Sequence, residues 1–227
     1  MGQTIDQCRK NIQYQILINL KKTSDNLILV FTRNPELGKC KTRLATTVGD
    51  KTALEIYIFL LEHTASITKN LSFDKQVYYS EDIWEKDVWD AKMFHKKVQK
   101  GIDLGERMAN AFEDGFNAGY KKICVIGSDM FDLSQEDIEI AFEKLNTSDF
   151  VIGPAEDGGY YLLGMKSLYS NLFTNKAWGT GTVLKHTLQD LNSKNYSVLA
   201  TKNDVDLYED IEHVEAFQPF LNTKKDD

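Results

Sequence analysis

The chain lacks any pairing pattern among its cysteines: Cys8, Cys40 and Cys124 are three in number and form no C-x-x-C, so neither a disulfide framework nor a zinc ribbon is indicated. A reducing, cytoplasmic setting is expected. Basic excess is missing too. The formal net charge of −7 argues against a general nucleic-acid binder, a role that needs a basic field over much of the surface. Any phosphate site must therefore come from a local cluster of cations. No apolar run is long enough to span a bilayer. The N-terminal stretch MGQTIDQCRKNIQYQILINLKK has only a mixed apolar run from Ile12 to Leu20 and no small-residue cleavage site, so no signal peptide is expected. Its Ile5, Ile12, Ile16 and Leu20 fall near helical spacing and predict a helical extension over residues 1–26, laid on the domain or on a partner. His63, His95, His186 and His213 share no metal-ligand spacing, Ser128 lies in no G-x-S-x-G frame, and no internal repeat is visible.

What is present is an ordinary globular composition, 42% hydrophobic and 27% charged, in a chain long enough for one sizeable core. One domain is expected over residues 27–220, followed by a polar tail, 221–227. The continuous apolar runs Leu27 to Phe31 and Ile123 to Ile126 read as strands covered on both faces. Gln76 to Tyr79, Phe150 to Ile152, Tyr160 to Leu163 and Tyr196 to Leu199 add further strands. Helical periodicity marks Lys51 to Thr68, Leu104 to Ala118, a segment from Ser134 to Leu145, Thr182 to Leu191, and a closing helix from Leu207 to Phe217. Ser134 with Asp137 suits a capping box. Alternating strands and helices predict an α/β sandwich around a largely parallel sheet. The charged, Trp-containing stretch Glu81 to Lys100 supports no assignment.

Four stretches carry residues suited to chemistry. FTRNPELGKCKTRLA, from Phe31 to Ala45, follows a strand and gathers Arg33, Lys39, Lys41 and Arg43 against one Glu36 before a helix begins. Ligands of open α/β sheets bind beyond the carboxyl ends of strands, where such a loop can hold phosphate; the alternative is a solvated surface loop. It is neither a dinucleotide fingerprint nor a P-loop. CVIGSDMFDL aims Asp129 off a strand end, as a hard-cation ligand or as a helix cap. NDVDLYED offers Asp206 as a second carboxylate, although acidic residues also suit the start of the last helix. GPAEDGGYYLLG joins two strands: Asp-Gly is a hairpin signal, while Gly158-Gly159 also permits close approach of a ligand to Asp157.

Taken together, NPELGKCKTRLA, DLGERMANAF, GSDMFDL, GPAEDGGYYLLG, AWGTGTVL and DVDLYEDI resemble, in order, the motifs of the bacterial glycosyltransferase-like proteins associated with radical-SAM/selenodomain proteins. These are also described as arsenosugar-biosynthesis glycosyltransferases and belong to the nucleotide-diphospho-sugar transferase superfamily, with the GT-A fold. KTRLA and the DGG are similar to those of phospholactate guanylyltransferases as well. The resemblance covers Leu27 to Phe217. It implies a mixed, mostly parallel sheet with helices on both faces. It implies a metal-dependent transfer of sugar from a nucleoside-diphosphate sugar to a small-molecule acceptor, with nucleotidyl transfer from a nucleoside triphosphate as the rival. A non-catalytic nucleotide- or partner-binding module is the alternative from another class. Carried over by residue, the resemblance implies Arg33, Lys41 and Arg43 at the phosphates, and Glu106 and Arg107 near the nucleotide or sugar. Asp129 and Asp206 would hold Mg²⁺ or Mn²⁺. Asp157, as general base or acceptor-orienting group, would lie with Gly158, Gly159 and Tyr160 on the acceptor side, under a loop bearing Trp178 and Thr180. The family usually has proline where this chain has Phe131, so a looser loop around Asp129 is expected.

Overall fold

Leu27, Ile28, Leu29 and Val30 are wholly inaccessible to solvent, as an unbroken apolar run requires. Alternate side chains of a strand face opposite layers, so both faces must be covered. In a computed structural model of the chain, residues 22–222 are described, and this run lies in the central strand β1 (Asn26–Thr32). The other strands are β2 (Asp74–Tyr79), β3 (His95–Val98), β4 (Lys122–Ile126), β5 (Phe150–Pro154), β6 (Tyr160–Met165) and β7 (Tyr196–Val198). They form one seven-stranded sheet in the order β3-β2-β1-β4-β6-β5-β7. All neighbours run parallel except β6, which is antiparallel to β4 and to β5.

The helices are α1 (Thr42–Val48), α2 (Asp50–Lys69), α3 (Leu104–Asn117), α4 (Gln135–Thr147), α5 (Val183–Asp190) and α6 (Gln218–Leu221). Ile28 and Val30 pack with Tyr57 and Leu61 of α2 and with Ile138 and Phe142 of α4. Leu27 and Leu29 pack on the other face with Met108 and Phe112 of α3. Ser134 caps α4 through the expected box with Asp137. Gly49, at φ 84°, separates α1 from α2.

Two expectations need correction. The segment from Leu207 to Phe217 is not one helix but two 3-10 turns, Tyr208–Asp210 and Glu215–Phe217, followed by α6. The Asp210 carboxylate accepts from the backbone N–H of Asp206 (2.8 Å) and Leu207 (2.6 Å), which holds the first turn tight. The stretch left unassigned contains β3, an edge strand of sequence HKKV whose residues are all half-buried. Of the expected N-terminal helix, residues 1–21 lie outside the described residues; Lys22 hydrogen-bonds the Gly119 carbonyl at 2.7 Å. Of the expected polar tail, residues 223–227 lie outside them too.

The topology decides where chemistry can occur. Because β4 and β5 both run antiparallel to β6, they run parallel to each other, and the β5–β6 turn falls at the carboxyl ends of β1 and β4. The chain leaving β7 stays at the same rim, where Lys202 bridges Ala155 and the Val205 N–H donates to the Asp129 carbonyl at 3.2 Å.

Candidate active site

The loop after β1 is held from beneath. Buried Asn34 donates from Nδ2 to the Asp82 carbonyl at 2.7 Å and accepts the Glu81 N–H at 3.1 Å. Tyr57 of α2 reaches the ends of two strands: its hydroxyl accepts the Arg33 N–H at 2.9 Å and lies 3.4 Å from the Ser128 hydroxyl, which donates to Thr32 at 3.1 Å. This buried network sets the cationic loop against Asp129. Lys41 adopts the left-handed conformation (φ 48°), uncommon for a residue with a β-carbon, at the start of α1. Its ammonium lies 2.9 Å from Asp129 Oδ2, with only 7% of the side chain exposed. Burial opposes both charges, but their attraction prevails: Lys41 is held above its usual pKa and Asp129 below the usual carboxylate range. At the rim, Arg43 Nη1 lies 2.6 Å from Asp206 Oδ2.

Asp129 stands where two compartments meet. The first, about 700 Å³, is lined by five cations, Arg33, Lys39, Lys41, Arg43 and Arg107, with Glu81, Asp129 and Asp206. The second, about 280 Å³, has walls of Phe31, Met108, Tyr160 and Trp178 and three carboxylates, Asp129, Asp157 and Asp204; no Lys or Arg lines it. Asp204 lies in the stretch NDVDLYED, from which the sequence singled out Asp206 instead. Burial, then the charges of Asp129 and Asp157, push its carboxyl up to about 6. A divalent cation in a phosphate site takes one or two carboxylates and draws its remaining ligands from phosphate and water. Asp129 and Asp204 repel one another, as such a pair of ligands would before a cation is bound, although Asp129 is engaged by Lys41 just as Asp206 is by Arg43. Among the described residues no group of three or more such side chains could hold a metal ion by itself.

Residues 63–180 match the model of a bacterial family described as uncharacterized proteins conserved in bacteria (DUF2064). The chain belongs to this family. The matched stretch carries Arg107, Asp129, Asp157 and Trp178, while the cationic loop and Asp206 lie beyond it. No curated protein matches the chain. A solved structure from Desulfovibrio desulfuricans G20, provisionally described as a nucleotide-diphospho-sugar transferase, is 29% identical, with TM-score 0.79, covering 89% of this chain and 96% of that one. Two more distant structures share the fold. A 4-diphosphocytidyl-2C-methyl-D-erythritol synthase is 16% identical (TM-score 0.56, 88% of this chain and 100% of that one). The inositol-1-phosphate CTP transferase from T. maritima is 12% identical (TM-score 0.51, 91% and 99%). The GT-A-like fold expected from the sequence is therefore present, and the likeness to the Desulfovibrio structure supports a transferase.

In this DUF2064 member the remaining site residues fall as follows. Arg107 joins the cationic compartment, its guanidinium bonded to Gly101 O at 3.1 Å. Glu106 instead serves the helix start, accepting the Ile102 N–H at 2.8 Å while Asp103 accepts the N–H of Glu106. GPAEDGG is a hairpin turn between β5 and β6, and Asp157 Oδ1 accepts the Gly159 N–H at 2.7 Å while the residue lines the aromatic compartment. Gly158 has φ 85°, and a β-carbon there would sit 2.3 Å from the Gly181 carbonyl oxygen. The absence of a side chain there makes room for the loop that follows Trp178. Trp178 packs over Gly105, where a β-carbon would meet the indole at 2.6 Å, and Thr180 lines the same compartment. Phe131 does not leave its loop loose: its ring packs on Phe59, His63 and Phe217, with centroids 5.7, 5.0 and 4.9 Å away.

Proposed function

We propose that the protein transfers a glycosyl group from a nucleoside-diphosphate sugar to a small-molecule acceptor. The observation that carries this reading is the division of the cleft at Asp129: all five cations line one side, and none lines the other. A diphosphate belongs with the cations, where Arg33, Lys41, Arg43 and Arg107 would supply charge-assisted hydrogen bonds to its oxygens. Asp129 with Asp204 would hold Mg²⁺ or Mn²⁺, and Asp206 would pair with Arg43 until the diphosphate engages it. Such an ion, when bound, supplies charge neutralisation for the leaving diphosphate. Asp157, on the opposite wall, would accept a proton from the acceptor hydroxyl or orient it. Phosphate as the attacking group, which one form of the rival nucleotidyl transfer needs, would meet Asp157 in a compartment that no Lys or Arg lines.

The rival still has one observation in its favour, since five cations suffice for a triphosphate. The two readings part in a simple assay. Release of sugar or its transfer from a nucleotide sugar, with no pyrophosphate formed from nucleoside triphosphates, is expected; pyrophosphate release would favour the rival. A thermal-shift panel of nucleoside diphosphates, triphosphates and nucleotide sugars, each with and without Mn²⁺, comes first, because a ligand of the folded state must raise Tm. No shift with any of them would favour a non-catalytic module. The free, buried thiols of Cys40 and Cys124 accord with work in the cytoplasm, and the motif resemblance suggests arsenosugar-related chemistry beside a radical-SAM protein.

A further inference from the structure

The aromatic compartment restricts what can lie beside the reacting phosphate. Its cavity of about 280 Å³ is near the lower size of small-molecule pockets and is large enough for one sugar-sized ring. Trp178, Tyr160 and Phe31 offer flat apolar faces, and Tyr160 is turned inward with its hydroxyl on the Met108 sulfur at 3.7 Å. The charged groups lining the cavity are all carboxylates, while the Thr180 hydroxyl, which also lines it, donates to the Ala177 carbonyl at 2.8 Å. Asp157 belongs to this compartment and not to the cationic one, so a cation held by Asp129 and Asp204 leaves its charge uncompensated.

We infer that this compartment takes an uncharged or amine-bearing polyhydroxy ring, with an apolar C–H face for the aromatic walls and hydroxyl or ammonium donors for Asp157, and that it excludes carboxylated and phosphorylated rings. The inference rests on the proposed glycosyl-transfer reading and narrows it. The ring is the donor's sugar or the acceptor, and both sources share this chemistry.

Two matched pairs test the exclusion in the full chain with Mn²⁺: uridine diphosphate glucose against glucuronate, and guanosine diphosphate mannose against mannuronate. Within a pair the base and diphosphate are the same, and only one ring substituent changes from hydroxymethyl to carboxylate. A like charge a few ångströms from Asp157 is expected to weaken the uronate at least about ten-fold. Asp157→Asn keeps an oxygen for the Gly159 N–H, so the turn survives while the charge goes, and the ratio should fall towards one. Equal or tighter binding of the uronate, or a ratio unchanged by Asp157→Asn, overturns the inference. So does binding of the bare diphosphates that both sugars weaken.

A second arm works without nucleotide: glucosamine, glucose and glucuronate are titrated as free sugars against tryptophan fluorescence, with Trp178→Phe to show which signal belongs to the cavity. Quenching by glucosamine or glucose but not glucuronate supports the inference and assigns the ring to a free acceptor, even if no nucleotide binds and the glycosyl-transfer reading falls. Quenching led by glucuronate, or no binding of any ring in either arm, overturns the inference while leaving diphosphate binding to be judged by its own Tm shift.

Discussion

Asp204 and Asp206 are two residues apart, and in extended chain nearest alternate side chains share a face only if the backbone stays regular. Here it does not: Val205 is buried, its N–H bonds the Asp129 carbonyl, and the two carboxylates enter different compartments. The sequence offered acidic groups at this point, but not that Asp204 would join Asp157 in one compartment while Asp206 joins the cations in the other. Asp204 carries a testable signature. Burial and the neighbouring carboxylates raise its carboxyl from 3.8 to about 6, so between those values the folded state binds more protons than the unfolded one, and stability falls as pH rises. Asp204→Asn should therefore raise Tm relative to the parent above pH 6 and lose that advantage as the pH falls below about 4. Melting curves across pH 3.5 to 8 check this, taking ~0.5-unit steps as sufficient for a transition spread over about two units. Lys41→Met leaves Asp129 without its ion-pair partner and removes the proposed phosphate donor; diphosphate affinity should drop by about ten-fold or more, measured by calorimetry.

At the scale of elements, strands buried on both faces were legible because continuous apolar runs admit few other readings. β3 was not, since an edge strand needs little apolar surface and HKKV has little to offer. The last helix was misread for a related reason. Leu207, Ile211, Val214 and Phe217 recur at spacings of four and three, and successive 3-10 turns satisfy those spacings nearly as well as an α-helix does. The hairpin was foreseen with its Asp-Gly signal, but the purpose of Gly158 was not, because its contact with Gly181 joins residues far apart in the chain. Gly158→Ala combines an unfavourable φ with a backbone clash and should cost about 1–3 kcal/mol, read from the denaturation midpoint. It should also free the Trp178 loop, seen as a change in tryptophan emission. Phe131→Ala, which opens a gap among Phe59, His63 and Phe217, should cost up to about 3 kcal/mol.

Across the whole molecule, the cleft is assembled from segments that the chain visits far apart. The loop after β1, the end of β4, the β5–β6 turn and the segment after β7 converge at one rim because six of seven strands share a direction. A parallel sheet with a ligand crevice at its carboxyl ends was readable from the alternation of strands and helices. The insertion of β6 between β4 and β5 was not, since strand order depends on pairing rather than on local pattern. Hydrogen exchange should reveal the assembled footprint: a nucleoside diphosphate with Mn²⁺ is expected to slow exchange in residues 33–43, 127–131 and 203–206 together, while β3 is unaffected. Protection confined to one of these segments would contradict a shared cleft.

The two ion pairs, Lys41 with Asp129 and Arg43 with Asp206, have a thermodynamic consequence. With no ligand, the site is its own counterion. An anion that engages the two basic side chains uncovers two carboxylates, and a cation that engages carboxylate uncovers a base. On the proposed reading nucleotide and metal would be heterotropic partners, and linkage would require each to raise the other's affinity by the same factor. Mn²⁺ alone and diphosphate alone should each bind weakly, and the pair should bind with a free energy larger than the sum of the two.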